Sequence, residues 1–304
     1  MPRILVTAAM GNVGRETVRE CATRGFVVRV AARIPAKLGE HFPQHEAAKL
    51  DFLDRATWLS ALDGCDQVFL LRPPSIANME ATLIPFVEAA YGAGVRHIVF
   101  VSVAGADRMK WFPHRKVELA LLAKGKGFTL LRPGFFAQNL QDAYRRDIVE
   151  EARIYVPAGA GRVAFLDVRD IGAVAARVFE EPTAYQGRSL TLTGPEALSF
   201  DQVAGLLSTA LHRAIRYEPA SILGYAVHLR RRRALPWTQA IIQTVLHVGL
   251  RRGDADHVED TIEQVLGRPP LALRDYIERS VDTWCALQES NLRPLAPEAN
   301  ALSS

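Results

Sequence analysis

Eight residues near the start of the chain, Thr7-Ala8-Ala9-Met10-Gly11-Asn12-Val13-Gly14, have the types and spacing most suited to chemistry. The apolar run Ile4-Leu5-Val6 leads into them, and Arg15-Glu16-Thr17-Val18-Arg19-Glu20-Cys21 reads as a helix behind them. A strand end, a tight turn and a helix N-terminus together make a pyrophosphate site. The turn admits close backbone approach, and the free N–H groups of the first helical turn face the anion. Small-residue turns also arise for packing alone, but a second strand following about twenty residues later favours a dinucleotide.

That second strand, Phe26-Val27-Val28-Arg29-Val30-Ala31-Ala32, ends at Arg33. A site for NAD(H) places Asp or Glu here to accept from the ribose 2′-hydroxyl, and this stretch has neither. An arginine suits a 2′-phosphate through a charge-assisted contact, so NADP(H) is expected in preference to NAD(H). Read blandly, Arg33 is a surface arginine.

The elements around these residues alternate. Strand-like apolar runs fall at 4–7, 26–32, 48–50, 67–71, 97–103 and 128–132, with helix-like segments between them such as Thr57–Leu62 and Glu80–Tyr91. Gly25, Gly64, Gly94 and Gly127 each precede a strand, where helix C-caps and turns favour glycine. This order predicts βαβ crossovers and a doubly wound parallel sheet covered on both faces. Beyond about residue 140 the pattern loosens. Short strands are expected at Arg153–Pro157 and Ser189–Thr193, with helices over Asp170–Glu180 (capped by Asp170) and Ser199–Leu211 (capped by Ser199). Residues 222–285 read as mainly helical. The expected organisation is a nucleotide domain over 1–150, to which 163–180 returns, a smaller lid over 151–285, and a flexible tail over 286–304.

Composition sets the outer bounds. The chain has 304 residues, 49% hydrophobic and 23% charged, as in an ordinary globular protein with room for about two domains. Cys21, Cys65 and Cys285 are far apart and show no paired spacing, which points to free thiols, a reducing cytoplasmic setting and no metal site. No secretory signal precedes the first strand, and no apolar run reaches the ~20 residues of a membrane span, so no membrane partner is expected. With 37 basic and 33 acidic residues the chain is no polyanion binder, and nucleic acid is not an expected partner. Arg230-Arg231-Arg232-Arg233 and Arg251-Arg252 read as a solvated helix face.

Several phrases together resemble the NmrA-like branch of the atypical short-chain dehydrogenases. They are Thr7 to Gly14, the Asp51 that follows the third strand, Leu70-Leu71-Arg72-Pro73-Pro74, and Pro113-His114-Arg115-Lys116-Val117-Glu118. They continue with Leu131-Arg132-Pro133-Gly134-Phe135-Phe136-Ala137-Gln138-Asn139-Leu140, Asp167-Val168-Arg169-Asp170-Ile171 and Leu192-Thr193-Gly194-Pro195-Glu196. The resemblance implies an α/β Rossmann-type core with a smaller C-terminal α+β or helical subdomain. It also implies cofactor contacts from Thr7, Ala8, Met10, Gly11, Asn12, Val13, Gly14, Arg33, Asp51, Leu71, Arg72, Ser102, His114, Pro133 and Phe135. That branch includes NADPH-dependent quinone and dye reductases and proteins that bind NADP without known turnover.

Two departures bear on chemistry. The loop of that branch usually reads Thr-Gly-Ala-Thr-Gly-x-x-Gly, whereas here Ala8 replaces the first glycine and Met10 the second threonine. A positive φ at Ala8 would strain it by ~1 kcal/mol. Short-chain dehydrogenases also use a Tyr-x-x-x-Lys pair. Here His114 matches the lysine and Lys110 stands four residues before it; aligned on Lys116 instead, the partner is Phe112. Neither alignment supplies a tyrosine, which argues against alcohol–ketone interconversion.

Reduction of an electron-poor ring needs no such tyrosine. His114, with an ordinary pKa near working pH, is the candidate donor to the anion that hydride transfer creates; the bland reading makes it a ribose ligand or cap. Phe135, Phe136 and Asn139 are the candidate substrate pocket, though paired phenylalanines are also ordinary core. Three functions remain: an NADPH-dependent reductase of a quinone-like small molecule, a non-catalytic NADP(H) sensor acting through a protein partner, and a biosynthetic reductase or isomerase using the same pocket. A homodimer is compatible with each.

Overall fold

The computed structural model describes residues 2–108, 112–125 and 127–285. The first half alternates as the apolar runs require. β1 (Arg3–Val6) passes through the small-residue loop into α1 (Asn12–Thr23), followed by β2 (Val27–Ala32), α2 (Ala36–His41) and β3 (Glu46–Lys49). Then come α3 (Trp58–Leu62), β4 (Gln67–Leu71), α4 (Leu83–Gly92), β5 (His97–Val101), α5 (Pro113–Lys124) and β6 (Phe128–Pro133). The second half runs α6 (Asn139–Asp142), α7 (Arg145–Glu151), β7 (Arg153–Val156), β8 (Arg162–Ala164), α8 (Val168–Glu180), α9 (Pro182–Tyr185) and β9 (Ser189–Leu192). It ends with β10 (Ala197–Ser199), α10 (Phe200–Leu211), β11 (Arg216–Pro219), α11 (Ile222–Arg232), α12 (Trp237–Leu250), α13 (Thr261–Leu266), α14 (Leu273–Arg279) and α15 (Val281–Cys285).

Seven parallel strands form the central sheet in the order β3-β2-β1-β4-β5-β6-β9. Every residue of β4 and β5 is buried, because helices cover both faces of the sheet. Successive side chains of β1 enter opposite layers. Ile4 and Val6 join Val13, Val18 and Cys21 of α1 and Ile171, Val174 and Val178 of α8, while Leu5 joins Phe86, Phe100 and Val117 on the other face. A third core, around Tyr144, Phe200, Tyr225 and Trp284, belongs to the second half. The order of the strands reverses direction between β1 and β4, and ligands of open α/β sheets sit at the carboxyl ends of the strands there. Cys21, Cys65 and Cys285 are all free thiols.

Two expectations are corrected. The strand at 189–192 belongs to the main sheet: Leu130 to Pro133 of β6 pair with Ser189 to Leu192. The return to the sheet is therefore longer than 163–180, taking in α8, β9 and also α13, whose Ile262 and Val265 enter the same core. The cap of α8 is Asp167, whose Oδ1 accepts from the Arg169 N–H at 3.0 Å; Asp170 lies in the first turn, fully buried. Asp170 is needed elsewhere, accepting from Arg268 at 2.8 Å and from the Leu271 N–H at 2.7 Å. Ser199 does cap α10, in a reciprocal box with Gln202.

α8 lies on α1 backbone to backbone. A Cβ on Gly172 would stand 2.7 Å from the Glu16 carbonyl carbon and 2.8 Å from its oxygen, with no flexible side chain to yield. Gly172→Ala is expected to lower the unfolding free energy by about 1–3 kcal/mol, read as a lower urea midpoint with the m-value unchanged. Gly205→Ala, in α10 with nothing within 4 Å, should instead raise stability by about 0.5–1 kcal/mol. The opposite order would show that α1 and α8 are not in backbone contact.

Candidate cofactor and substrate site

The residues singled out from the sequence converge on one edge. Thr7, Arg33, Asp51, Arg72 and Ser102 each follow the carboxyl end of a parallel strand, and Pro133 ends β6. The loop between β1 and α1 has Ala8 at φ +50°, the left-handed conformation in which alanine is strained. Its carbonyl turns inward to accept from the Gly11 N–H at 3.0 Å. A Cβ on Gly14 would stand 2.3 Å from that same carbonyl oxygen, so only glycine lets the helix start this close to the turn. Gly11 is the N-cap of α1, no side chain caps the helix, and its first turn carries no acid. The positive end of the helix dipole therefore stays open to an anion, which fits a dinucleotide diphosphate.

Other loop residues brace the site. Thr7 is buried; its hydroxyl accepts from the Leu71 N–H at 2.9 Å and donates to the Leu71 carbonyl at 3.5 Å, tying β1 to β4. That side chain is occupied by protein backbone, which corrects its reading as a cofactor ligand. Val13 packs in the sheet core with Met10 against it, and the Met10 carbonyl accepts from Arg15 at 3.0 Å. Asn12 donates to Asp142 of α6 at 2.8 Å, drawing the second half onto the loop. Asp51 accepts from the Leu53 N–H at 2.9 Å, a tight turn after β3. Arg33 is exposed just past β2, the strand that pairs with β1.

The opposite end of the cleft is organised by charge. Glu118 on α5 is fully buried. Arg132 grips it with two hydrogen bonds of 2.9 Å and Arg115 adds a third of 2.9 Å. Burial alone would raise its pKa, but the hydrogen bonds from Arg132 and Arg115 hold the carboxyl below its ordinary value. Arg132 also reaches Asp107 at 3.3 Å. One turn before Glu118 stands His114, 3% exposed, whose Nε2 takes a hydrogen bond from Arg72 Nε at 3.0 Å. A guanidinium can only donate, so Nε2 is the unprotonated nitrogen. Burial, helped by the Arg72 charge, pulls the imidazole down to about 3. Both influences run against a histidine titrating near working pH and favour a neutral imidazole that holds Arg72. Arg72 also donates to the Ile76 carbonyl at 2.6 Å, fixing the turn after β4.

Phe135 and Phe136 part company. Phe136 is buried in the sheet core, which corrects its reading as a pocket residue, whereas Phe135 is half-buried and packs edge-on against Phe165 (5.6 Å) and His247 (6.2 Å). Asn139 is buried at the start of α6. The turn carrying Phe135 is held by Gln138, which donates to Asp167 at 3.1 Å and accepts from the Val168 N–H at 3.2 Å. Arg279 closes the other side of Asp167 at 2.5 Å. Gln138, Arg115 and Arg279 were not singled out, because their roles arise from contacts distant in the chain. Lys110 and the tail 286–304 lie outside the described residues.

A profile described as the NmrA-like family matches residues 2–284. An NAD(P)H azoreductase of Xenophilus azovorans is 32% identical over 282 residues, covering 90% of this chain and 96% of that protein. Among solved structures, an Escherichia coli NADPH-dependent quinone oxidoreductase complexed with NADPH superposes with a TM-score of 0.82 at 25% identity. The match covers 91% of this chain and 99% of that one. A Citrobacter triphenylmethane reductase complexed with NADP(H) shares the fold, with a TM-score of 0.81 at 21% identity over 91% of this chain and 99% of that one.

The two small residues of the loop have opposite tolerances. Ala8→Gly should leave stability and NADPH affinity equal or higher by up to ~1 kcal/mol, since it removes left-handed strain. Gly14→Ala should weaken NADPH binding, because its methyl has no room beneath the Ala8 carbonyl. Fluorescence titration with NADPH reads both. A clear loss of affinity in Ala8→Gly would mean that the alanine methyl packs to more effect than its φ costs.

Proposed function

The chain belongs to the NmrA-like family, and on that premise we propose that it is an NADPH-dependent reductase of electron-poor, conjugated small molecules such as quinones and azo compounds. One observation carries the reading: the uncapped start of α1 and the Arg72–His114–Phe135 end lie along the same carboxyl edge of the sheet. The names of the azoreductase and the quinone oxidoreductase share a chemistry, reduction of a conjugated acceptor by a reduced nicotinamide, and support the substrate class.

The bound cofactor would supply the hydride. Gly11 to Gly14 would cradle its diphosphate at the N-terminus of α1, and Arg33 would take the 2′-phosphate that separates NADPH from NADH. Phe135 offers the acceptor an apolar face. Hydride arrival leaves negative charge spread over the acceptor, and the nearby Arg72 guanidinium, held by His114 and the Ile76 carbonyl, stabilises that charge from a set position. Neutral His114 acts through Arg72, and water protonates the delocalised anion.

NADPH should bind more tightly than NADH, and Arg33→Ala should remove most of the difference, costing about 1.5–3 kcal/mol for NADPH alone. Equal affinity of the unchanged protein for the two cofactors would sink the role of Arg33. NADPH oxidation should depend on an added quinone or azo compound, and its absence across such a panel, with NADPH still bound, would favour a sensor.

His114 allows a sharper test by pH. With its pKa near 3, the imidazole stays neutral across the working range, so the pH profile of kcat/KM should show no histidine step between about pH 5 and 8. His114→Gln should lower kcat/KM by roughly tenfold through the loosened Arg72, with an unchanged profile. A step near pH 6.5 that disappears in His114→Gln would restore the histidine as the proton donor.

A further inference from the structure

α12 carries no ionisable acid or base other than His247, yet it presents a large apolar face outward. Its inner face, including Ala240, Thr244, His247 and Leu250, is buried. Its outer face carries Trp237, Ile241, Ile242, Val245 and Leu246, all between 42% and 61% exposed. None of the 14 residues of the helix is an acid, lysine or arginine. Five large apolar side chains exposed on one helix form a patch rather than scattered exposure.

The ends of the helix carry the opposite character. Arg230 and Arg231, at the end of α11 just ahead of α12, are exposed and make no ion pair with the described residues; Arg232 pairs with Glu151. Beyond the other end, Arg251 and Arg252 join Arg162 around an open cavity of about 520 Å³. Asp256 in that cavity and the neighbouring Asp254 offset part of this charge. The cavity is held against the helix by backbone contact: a Cβ on Gly161 would stand 2.1 Å from the Leu250 carbonyl oxygen. Arg252 lies in the exposed turn that follows the helix.

We propose that the outer face of α12, bracketed by these arginines, seats the protein on an anionic phospholipid surface. The helix would lie flat over about 21 Å, with Trp237, Ile242 and Val245 in the boundary between headgroups and acyl chains and the arginines on lipid phosphates. It is too short to cross a bilayer, and no helix among the described residues is long and apolar enough to do so. A second copy of the chain fits this surface less well. Paired through α12 in either direction, one copy would set its Arg230 and Arg231 against arginines of the other, whereas an anionic surface reverses the sign of that interaction. The inference is independent of the reductase reading.

Co-sedimentation of the full chain with vesicles tests it. The protein should pellet with equimolar phosphatidylglycerol and phosphatidylcholine, not with phosphatidylcholine alone, and should be released as salt rises to about 0.5 M. The triple change Ile242→Ser, Val245→Ser and Leu246→Ser should cut vesicle affinity by at least about tenfold. Arg230→Gln with Arg231→Gln should cut it by about fivefold for each arginine. All five side chains are exposed, so the melting temperature should stay unchanged in both variants, which separates lost docking from lost fold. Failure to bind anionic vesicles, equal binding to neutral ones, or full binding by the triple variant would overturn the proposal. So would a concentration-dependent dimer abolished by Val245→Glu, since a second copy would then be what covers the face.

Discussion

A carboxylate with no exposure to water is the point from which the substrate end of this molecule is built. Glu118 can stay ionised inside the fold only because Arg132 and Arg115 meet both its oxygens. Losing one partner of such a buried pair typically costs about 3–5 kcal/mol, so the geometry is strongly enforced. The pair joins α5 to the end of β6 and thereby sets the rotation of α5. His114, four residues earlier on the same face, is aimed at Arg72, and Arg72 in turn gathers the turn after β4. The ends of β4 and β6 are thus placed relative to one another, through α5, by a chain of charge-assisted bonds.

The cofactor end is built by the opposite means, the absence of side chains. Gly14 lets α1 begin against the Ala8 carbonyl, and Gly172 lets α8 lie on the backbone at Glu16 and Thr17. α1 is held from two directions at backbone distance, which leaves little freedom for the N–H groups at its start. α8 then ties in the second half of the chain. Its N-terminal acids, Asp167 and Asp170, receive Arg279 and Arg268 from the far C-terminal segment, and Gln138 links Asp167 to the turn bearing Phe135. The turn bearing Phe135, a candidate substrate contact, is therefore tied to the same helix that packs against α1.

This division explains what could be read in advance. The sheet was legible because strands buried on both faces carry continuous apolar runs, such as Val68-Phe69-Leu70-Leu71, and the glycine loop because its order in the chain is also its order in space. β9 was legible as a strand but not as a member of the sheet, since Ser189-Leu190-Thr191-Leu192 alternates as an edge strand does and its partner lies about sixty residues earlier. Asp170 reads as a cap from local spacing; only the distant Arg268 and Leu271 reveal its other use. Phe135 and Phe136 are chemically alike in sequence and are separated only by the turn that sends one into the sheet core.

His114 shows where residue type stops being informative. The same imidazole is a proton donor when solvated and a neutral acceptor when buried beside a guanidinium, and burial here pulls it to about 3. Sequence supplies the ring and its place on the helix, while solvation decides its charge. Burial and the Arg72 charge both favour the neutral imidazole, while Arg72 itself carries the positive charge. That suits an acceptor whose anion is delocalised and basic enough to take its proton from water. It does not suit a localised alkoxide, which needs an acid in contact with one oxygen at the moment it forms. The missing tyrosine and the buried histidine thus point the same way under the proposed function: charge would be stabilised by position and the proton left to solvent.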